Sequence, residues 1–278
     1  LYKYMPLRKE FFANFLVRAT QRCALNDPFE VLPSRTWLEE ACRHNNHPVD
    51  DQSFEDLLDL VTKLNLNTMG IVSLTYRPDN ILMWSHYADE HKGVVVEVDE
   101  NNRKLKNAFG KNEDQELAQN VVYRVDRLQK YEDDKMFMPY LYKSIDWNYE
   151  EEQRIVVSNL YTCKYWMYIC DDESLAIEAE KNKCIADVYL NTIDRNNRTL
   201  SFTSKGLKQP INRLPIVNNP RFMSMFEIPA EAIVSVTFGA RSNSSDVDEV
   251  ITLIKKNPEM KHVKLRHSKL NESAFGID

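Results

Sequence analysis

With 278 residues, 43% of them hydrophobic and 28% charged, the chain can bury a substantial core and reads as an ordinary soluble globular protein. A net charge of −6 argues against broad electrostatic binding of nucleic acid, and 6 glycines without a G-x-G-x-x-G or Walker-type run exclude a Gly-rich phosphate cradle. Five cysteines without a C-x-x-C pair read as free thiols; with no apolar run near the ~20 residues of a membrane span and no signal-peptide start, the expectation is a cytoplasmic protein with no membrane partner.

Leu1-Tyr2-Lys3-Tyr4 alternates as a first strand does, and Pro6 stops it. Pro6 also suits the first turn of a helix whose apolar face is Leu7, Phe11, Phe12, Phe15 and Leu16. Arg22 to Leu25 is predicted short and extended. Pro28 holds its predecessor out of the α region, so Asn26-Asp27-Pro28-Phe29-Glu30 is a turn with two polar side chains fixed in place. From Thr36 to Leu66 the pattern is helical, with Ser53 as an N-cap and Leu57, Leu58, Val61 and Leu64 on one face.

Gly70 lies at the head of an apolar strand, Met69 to Thr75, in which Ser73 and Thr75 share a face. Arg77-Pro78-Asp79-Asn80 breaks it, a helix follows over Ile81 to Glu90, and Gly93 restarts the chain as a β-branched strand. Glu100 to Gln119 is charge-rich and contains a solvent-facing loop or helix, Val121 to Val125 is a strand, and Met136 to Ser144 a helix. Trp147 to Val157 passes from an acidic lead-in into a buried strand. Tyr165 to Ile169, Cys184 to Leu190, Thr199 to Thr203 and Phe222 to Ile228 are assigned to strands. Ala232 to Phe238, a Gly239 turn, a helix from about Asp246 to Lys256 and His262 to Leu265 form a β-α-β unit at about 230–268. No repeat or low-complexity linker divides the chain. The predicted fold is α+β, a single domain over 1–278 with a mixed or mainly antiparallel central sheet and flanking helices.

On a strand, Glu150, Glu152 and Arg154 would line one face. Two such carboxylates raise each other's proton affinity while Arg154 opposes that. The set can orient a sugar hydroxyl, stabilise a developing cation or serve in acid/base work. The plainer alternative is an exposed acidic lead-in with Arg154 as its ion-pair partner. His86 and Tyr87 fall on adjacent faces of their helix, His86 with Leu82 and Glu90, Tyr87 with Met83 and His91. The spacing of five between His86 and His91 does not make an H-E-x-x-H zinc helix, so a metal-dependent hydrolase using them with the glutamates is a weak reading and no metal is expected. There is no G-x-S-x-G elbow. Arg241, after Gly239-Ala240, suits anion binding or a solvated turn.

Leu1-Tyr2-Lys3-Tyr4, Leu25 to Glu30, Leu82-Met83-Trp84-Ser85-His86-Tyr87-Ala88-Asp89 with His91 and Gly93, and Trp147 to Arg154 together resemble a widespread bacterial family of unknown function. The likeness extends to the strand Ile233 to Gly239, and so over nearly the whole chain. A looser resemblance is to the ADP-ribosyltransferase fold, which places an Arg or His on a first strand, a Ser/Thr-containing strand next, and a Glu, often within E-x-E, at the start of a later one. Tyr2 to Tyr4, Ser73-Leu74-Thr75 and Glu150-Glu151-Glu152 stand in that order, with Lys3 where those enzymes carry Arg or His and Arg8 or Arg22 as substitutes.

That resemblance implies an NAD-consuming ADP-ribosyl transferase or glycohydrolase, a bacterial toxin or phage-defence effector acting on a macromolecular acceptor. Cleaving the nicotinamide–ribose bond of NAD passes through an oxocarbenium-like state that a carboxylate stabilises. It makes Glu152 and Glu150 catalytic and gathers Tyr4, Asn26, Ser73, Thr75, His86, Tyr87 and Arg154 around the co-substrate. Read as a surface residue, Glu152 could become Gln with little change in unfolding. The rival reading is a non-enzymatic module that binds a nucleotide or a partner with the same groups.

Overall fold

The computed structural model describes residues 1–44, 54–56, 58–59, 66–131, 138–162, 164–168, 193–194, 199–203 and 213–277. Its strands are β1 (Tyr2–Met5), β2 (Leu16–Gln21), β3 (Met69–Thr75), β4 (Val94–Val98), β5 (Gln119–Asn120), β6 (Val122–Arg124) and β7 (Tyr142–Ser144). There follow β8 (Glu152–Ser158), β9 (Lys164–Tyr168), β10 (Ile193–Asp194), β11 (Thr199–Thr203), β12 (Met223–Glu227), β13 (Ile233–Phe238) and β14 (Lys264–His267). Twelve of these form one open sheet in the order β10-β11-β9-β12-β2-β3-β1-β4-β13-β14, with β8 on β3 and β5 on β8. Its pairings are antiparallel except β13 with β14, the parallel pair that the helix Ser244–Lys256 connects. β6 and β7 pair parallel in a small second sheet. The fold is thus α+β with a mainly antiparallel sheet.

The β-branched runs explain the centre. Val94, Val96 and Val98 of β4 and Ile233, Val236 and Phe238 of β13 are buried beside Val72 and Leu74 of β3 and Ile155 of β8. Phe11 and Phe12, on the helix Lys9–Asn14, and Val250 and Ile254, on Ser244–Lys256, cover the same core. Each such side chain contributes roughly 1.5–3 kcal/mol on burial. No helix among the described residues is long and apolar enough to cross a membrane. Cys23 and Cys42 are free thiols.

Local differences from the sequence expectation have physical causes. Phe15 and Leu16 do not extend the first helix. Phe15 takes a left-handed φ of 54°, its N–H returns to the Phe11 carbonyl, and Leu16 leaves as β2. Asn14 Oδ1 secures that exit by accepting from the Leu16 N–H at 2.9 Å. Arg22–Ala24 is a 3₁₀ turn rather than an extended piece. In place of a helix up to Ser144, Met138–Leu141 makes a 3₁₀ turn and Tyr142–Ser144 a strand. The helix Ile81–Tyr87 stops short of Glu90, because Asp89, Glu90 and His91 all have positive φ. Ser53, Leu57, Val61, Leu64 and the span Cys184 to Leu190 lie outside the described residues.

Candidate active site

The sheet forks at β3. One edge pairs along β8, with Thr75 opposite Glu152 and Ser73 opposite Arg154. The other edge is shared: Tyr2 of β1 pairs with Thr75, whereas Thr20 and Gln21 of β2 pair with Ile71 and Gly70. Between these pairings the Ser73 carbonyl accepts from Lys3 Nζ at 2.9 Å. A cleft of about 280 Å³ opens at the fork. Its lining comes from β1, β2 and β3 (Lys3, Tyr4, Arg18, Ser73, Thr75), from the turn after β2 (Asn26, Asp27, Glu30), and from Tyr87, Lys143, Trp147, Glu150 and Glu152.

Glu152 and Arg154 obey strand alternation, but Glu150 does not reach the site that way. Ile145–Glu150 is a 3₁₀ helix, Glu151 turns left-handed at φ 44°, and β8 begins only at Glu152. The kink still brings the carboxylates together, because Lys143 Nζ donates to Glu150 Oε2 at 2.5 Å and to Glu152 Oε2 at 3.1 Å. Tyr87 donates its hydroxyl to Glu150 Oε1 at 2.5 Å. Arg154 grips Glu152 with Nε and Nη2, gives Nη1 to the Tyr140 carbonyl at 2.7 Å, and shares Nη2 with Glu30. Glu150, Glu152 and Arg154 are 2, 3 and 1% exposed, so the plain reading as a solvated acidic lead-in does not hold.

The environments separate the two carboxyls. Burial raises the proton affinity of Glu150, with Lys143 and Tyr87 only partly opposing it. Burial works the same way on Glu152, but Arg154 and Lys143 outweigh it and hold the group at about 2. Lys143 loses by burial and gains more from Glu152, Glu30 and Glu150, so it stays charged. Burial brings Lys3 down to about 8, against the pull of Glu152. Burial and the Glu150 carboxylate push the Tyr87 phenol well above its ordinary range, which keeps it a donor. Two glutamates in opposite protonation tendency, bridged by one ammonium, are the chemical core of the cleft.

Of the residues chosen from sequence, Tyr4, Asn26, Ser73, Thr75, Tyr87, Glu150 and Glu152 line this one cleft. Tyr4 is anchored, its hydroxyl on the Arg77 carbonyl at 2.9 Å and its ring edge-on to Trp84. Thr75 Oγ1 accepts from the Arg77 N–H at 3.0 Å. Arg154 lies beneath Glu152 rather than on the lining. His86 stands apart and exposed, with Nδ1 3.0 Å from the Tyr149 hydroxyl. His91 meets Ser85 Oγ at 3.1 Å and stacks on Trp84. Among the described residues no group of three or more His, Cys, Asp or Glu is placed to hold a metal.

Sequence reasoning missed Lys143, Glu30, Arg18 and Trp147 as site residues. Glu30 carried a signal, since it closes the turn that fixes Asn26 and Asp27, and Asp27 Oδ2 accepts from Trp147 Nε1 at 3.0 Å. Lys143 carried none.

Residues 83–155 match a family model described as Protein of unknown function (DUF2971). That segment holds Tyr87, Lys143, Glu150, Glu152 and Arg154, hence the carboxyl pair with the phenol and the two cations bonded to it. No curated protein and no solved structure matches the chain.

Proposed function

We propose that the chain cleaves the nicotinamide–ribose bond of NAD and passes the ADP-ribosyl group to water or to a macromolecular acceptor. In that step the C–N bond breaks and its electron pair leaves with nicotinamide. The ribosyl cation is captured by an oxygen nucleophile, which gives up a proton. The observation that carries the reading is the split carboxyl pair in a cleft that the cations Lys3 and Arg18 also line.

Each part has a role. Ionised and rigid on β8, Glu152 offers fixed negative charge to the developing ribosyl cation without reorganising. Glu150, with its raised proton affinity, is the group suited to take the nucleophile's proton. Ser73 and Thr75, which line the cleft, would hold the ribose hydroxyls, and Lys3 and Arg18 would meet the pyrophosphate. An NAD-depleting enzyme of this kind would serve as a toxin or phage-defence effector. The test is nicotinamide release by the wild-type chain, Glu150→Gln and Glu152→Gln, beside NAD titration. Loss of release in both variants supports the reading. A wild-type chain that neither binds nor cleaves NAD ends it.

A second reading has its own observation. Both oxygens of Glu152 already accept from Arg154, and one from Lys143 as well. A carboxylate so engaged can be purely architectural, and the cleft would then bind a nucleotide without cleaving it. NAD binding with no nicotinamide release in the wild type selects this reading.

A further inference from the structure

A second cleft, of about 280 Å³, adjoins the first at Lys143. It shares Asp27, Glu30 and Lys143 with the first, and its own wall is Phe29, Arg124, Arg127 and Tyr142. Each arginine is laid on an aromatic ring: Arg127 with its guanidinium carbon 4.9 Å from the Phe29 centroid, and Arg124 5.6 Å from that of Tyr142. Among the described residues neither guanidinium forms an ion pair with a carboxylate, Asp126 between them included; yet the nearby Glu30 is satisfied by Arg154.

Phe29 is 60% exposed, so its ring presents Arg127 at the open surface of the cleft. A ring face attracts a cation and leaves the N–H edges of the guanidinium uncommitted. Two such forks beside one recess match the several acceptor oxygens of a phosphoryl group better than a single carboxylate, which one fork already satisfies. We infer that this cleft binds a phosphorylated small molecule, its phosphoryl group held between Arg124 and Arg127. The inference rests on neither the carboxyl pair nor NAD cleavage.

Titration calorimetry of the full chain with inorganic pyrophosphate and with adenosine monophosphate tests it. Binding of either probe is expected, weakening as salt is raised. Tighter binding of the nucleotide identifies an organic phosphate, and equal or tighter binding of pyrophosphate identifies the free anion. Arg124→Gln with Arg127→Gln should weaken the bound probe by about tenfold or more, since hydrogen bonds to a charged partner are lost. Arg127→Lys keeps the charge and loses the fork, so it should weaken binding less than the double variant does. Both arginines are exposed, so circular dichroism should show both variants folded. Three outcomes overturn the proposal: no binding of either probe at millimolar concentration, affinity unchanged in the double variant, or loss of binding only in Lys3→Met, which would put the anion in the fork instead.

Discussion

Arg154 and Glu152, two positions apart on β8, close a two-pronged ion pair, Nε to Oε1 and Nη2 to Oε2, each at 2.9 Å. The guanidinium is 1% exposed and also serves Glu30 and the Tyr140 carbonyl. Such a pair adds little net stability over an apolar replacement of both partners, but removing one partner strands the other charge. Arg154→Met leaves Glu152 and Glu30 with Lys143 alone. The expected loss is about 3–5 kcal/mol by calorimetry. A loss below about 1 kcal/mol would place the network in solvent-like surroundings.

The same burial changes what Glu152→Gln should do. Read as a surface position, Glu152 is replaceable without cost; at 3% exposure and held by two cations it is not. Its folded-state value of about 2 lies below the unfolded one, which is about 4.3. A depressed carboxyl contributes stability above its unfolded value and loses it as pH falls toward the folded value. The gap between wild type and Glu152→Gln in urea unfolding should therefore be about 3 kcal/mol near neutrality. It should narrow below about pH 4 and close near pH 2. A gap that does not vary with pH would show that Glu152 gains nothing from being ionised in the fold.

Which parts of this site were legible follows from the range of each interaction. Ser73 with Thr75, and Glu152 with Arg154, are separated by two residues on strands, and strand periodicity alone puts each pair on one face. β1, β3 and the β13–β14 unit were legible because each is a β-branched or alternating run between breakers. β2 was hidden, since Phe15 and Leu16 continue the helical spacing of Phe11 and Phe12 while a left-handed residue ends the helix. Lys143 was hidden for another reason. It lies on a strand of three residues, too short to show a period, and its partners are fixed by tertiary packing. Glu150 was chosen by a rule it does not follow, and reaches the site through a 3₁₀ turn and a left-handed Glu151.

Gly239 offers a check on the wall behind Trp84. A Cβ there would stand 2.1 Å from the His91 carbonyl oxygen and 3.1 Å from that of Gly93. Both carbonyls are backbone in use, His91 accepting from Arg241 N–H at 3.0 Å and Gly93 from Gly239 N–H at 2.9 Å. Neither can swing aside as a side chain would. Gly239→Ala should cost about 1–3 kcal/mol or more in thermal unfolding. Wild-type stability in that variant would mean that the left-handed turn Asp89 to His91 can shift freely.

Tyr87 and Glu150 give the test that separates architecture from chemistry. The phenol donates to Glu150 Oε1 at 2.5 Å, and with Lys143 it opposes the upward push of burial on that carboxyl. Lys143 is the stronger of the two opposing influences. Tyr87→Phe keeps the ring and deletes the donor, so the chain should fold with a loss of about 1.5–3 kcal/mol, the range for a hydrogen bond to a charged group. Glu150 should then hold its proton to higher pH than in the wild type, and in Lys143→Met to higher pH still. A carboxyl that must be ionised to take a proton transmits that shift to the rate. The acidic limb of nicotinamide release should thus move to higher pH in Tyr87→Phe, and further in Lys143→Met. Carbon-13 titration of the Glu150 carboxyl checks the shift directly and does not depend on turnover. If the carboxyl moves and the acidic limb does not, Glu150 takes no proton in the rate-determining step. If neither moves, the Tyr87 hydroxyl does not control Glu150, and the acid/base division within the cleft fails.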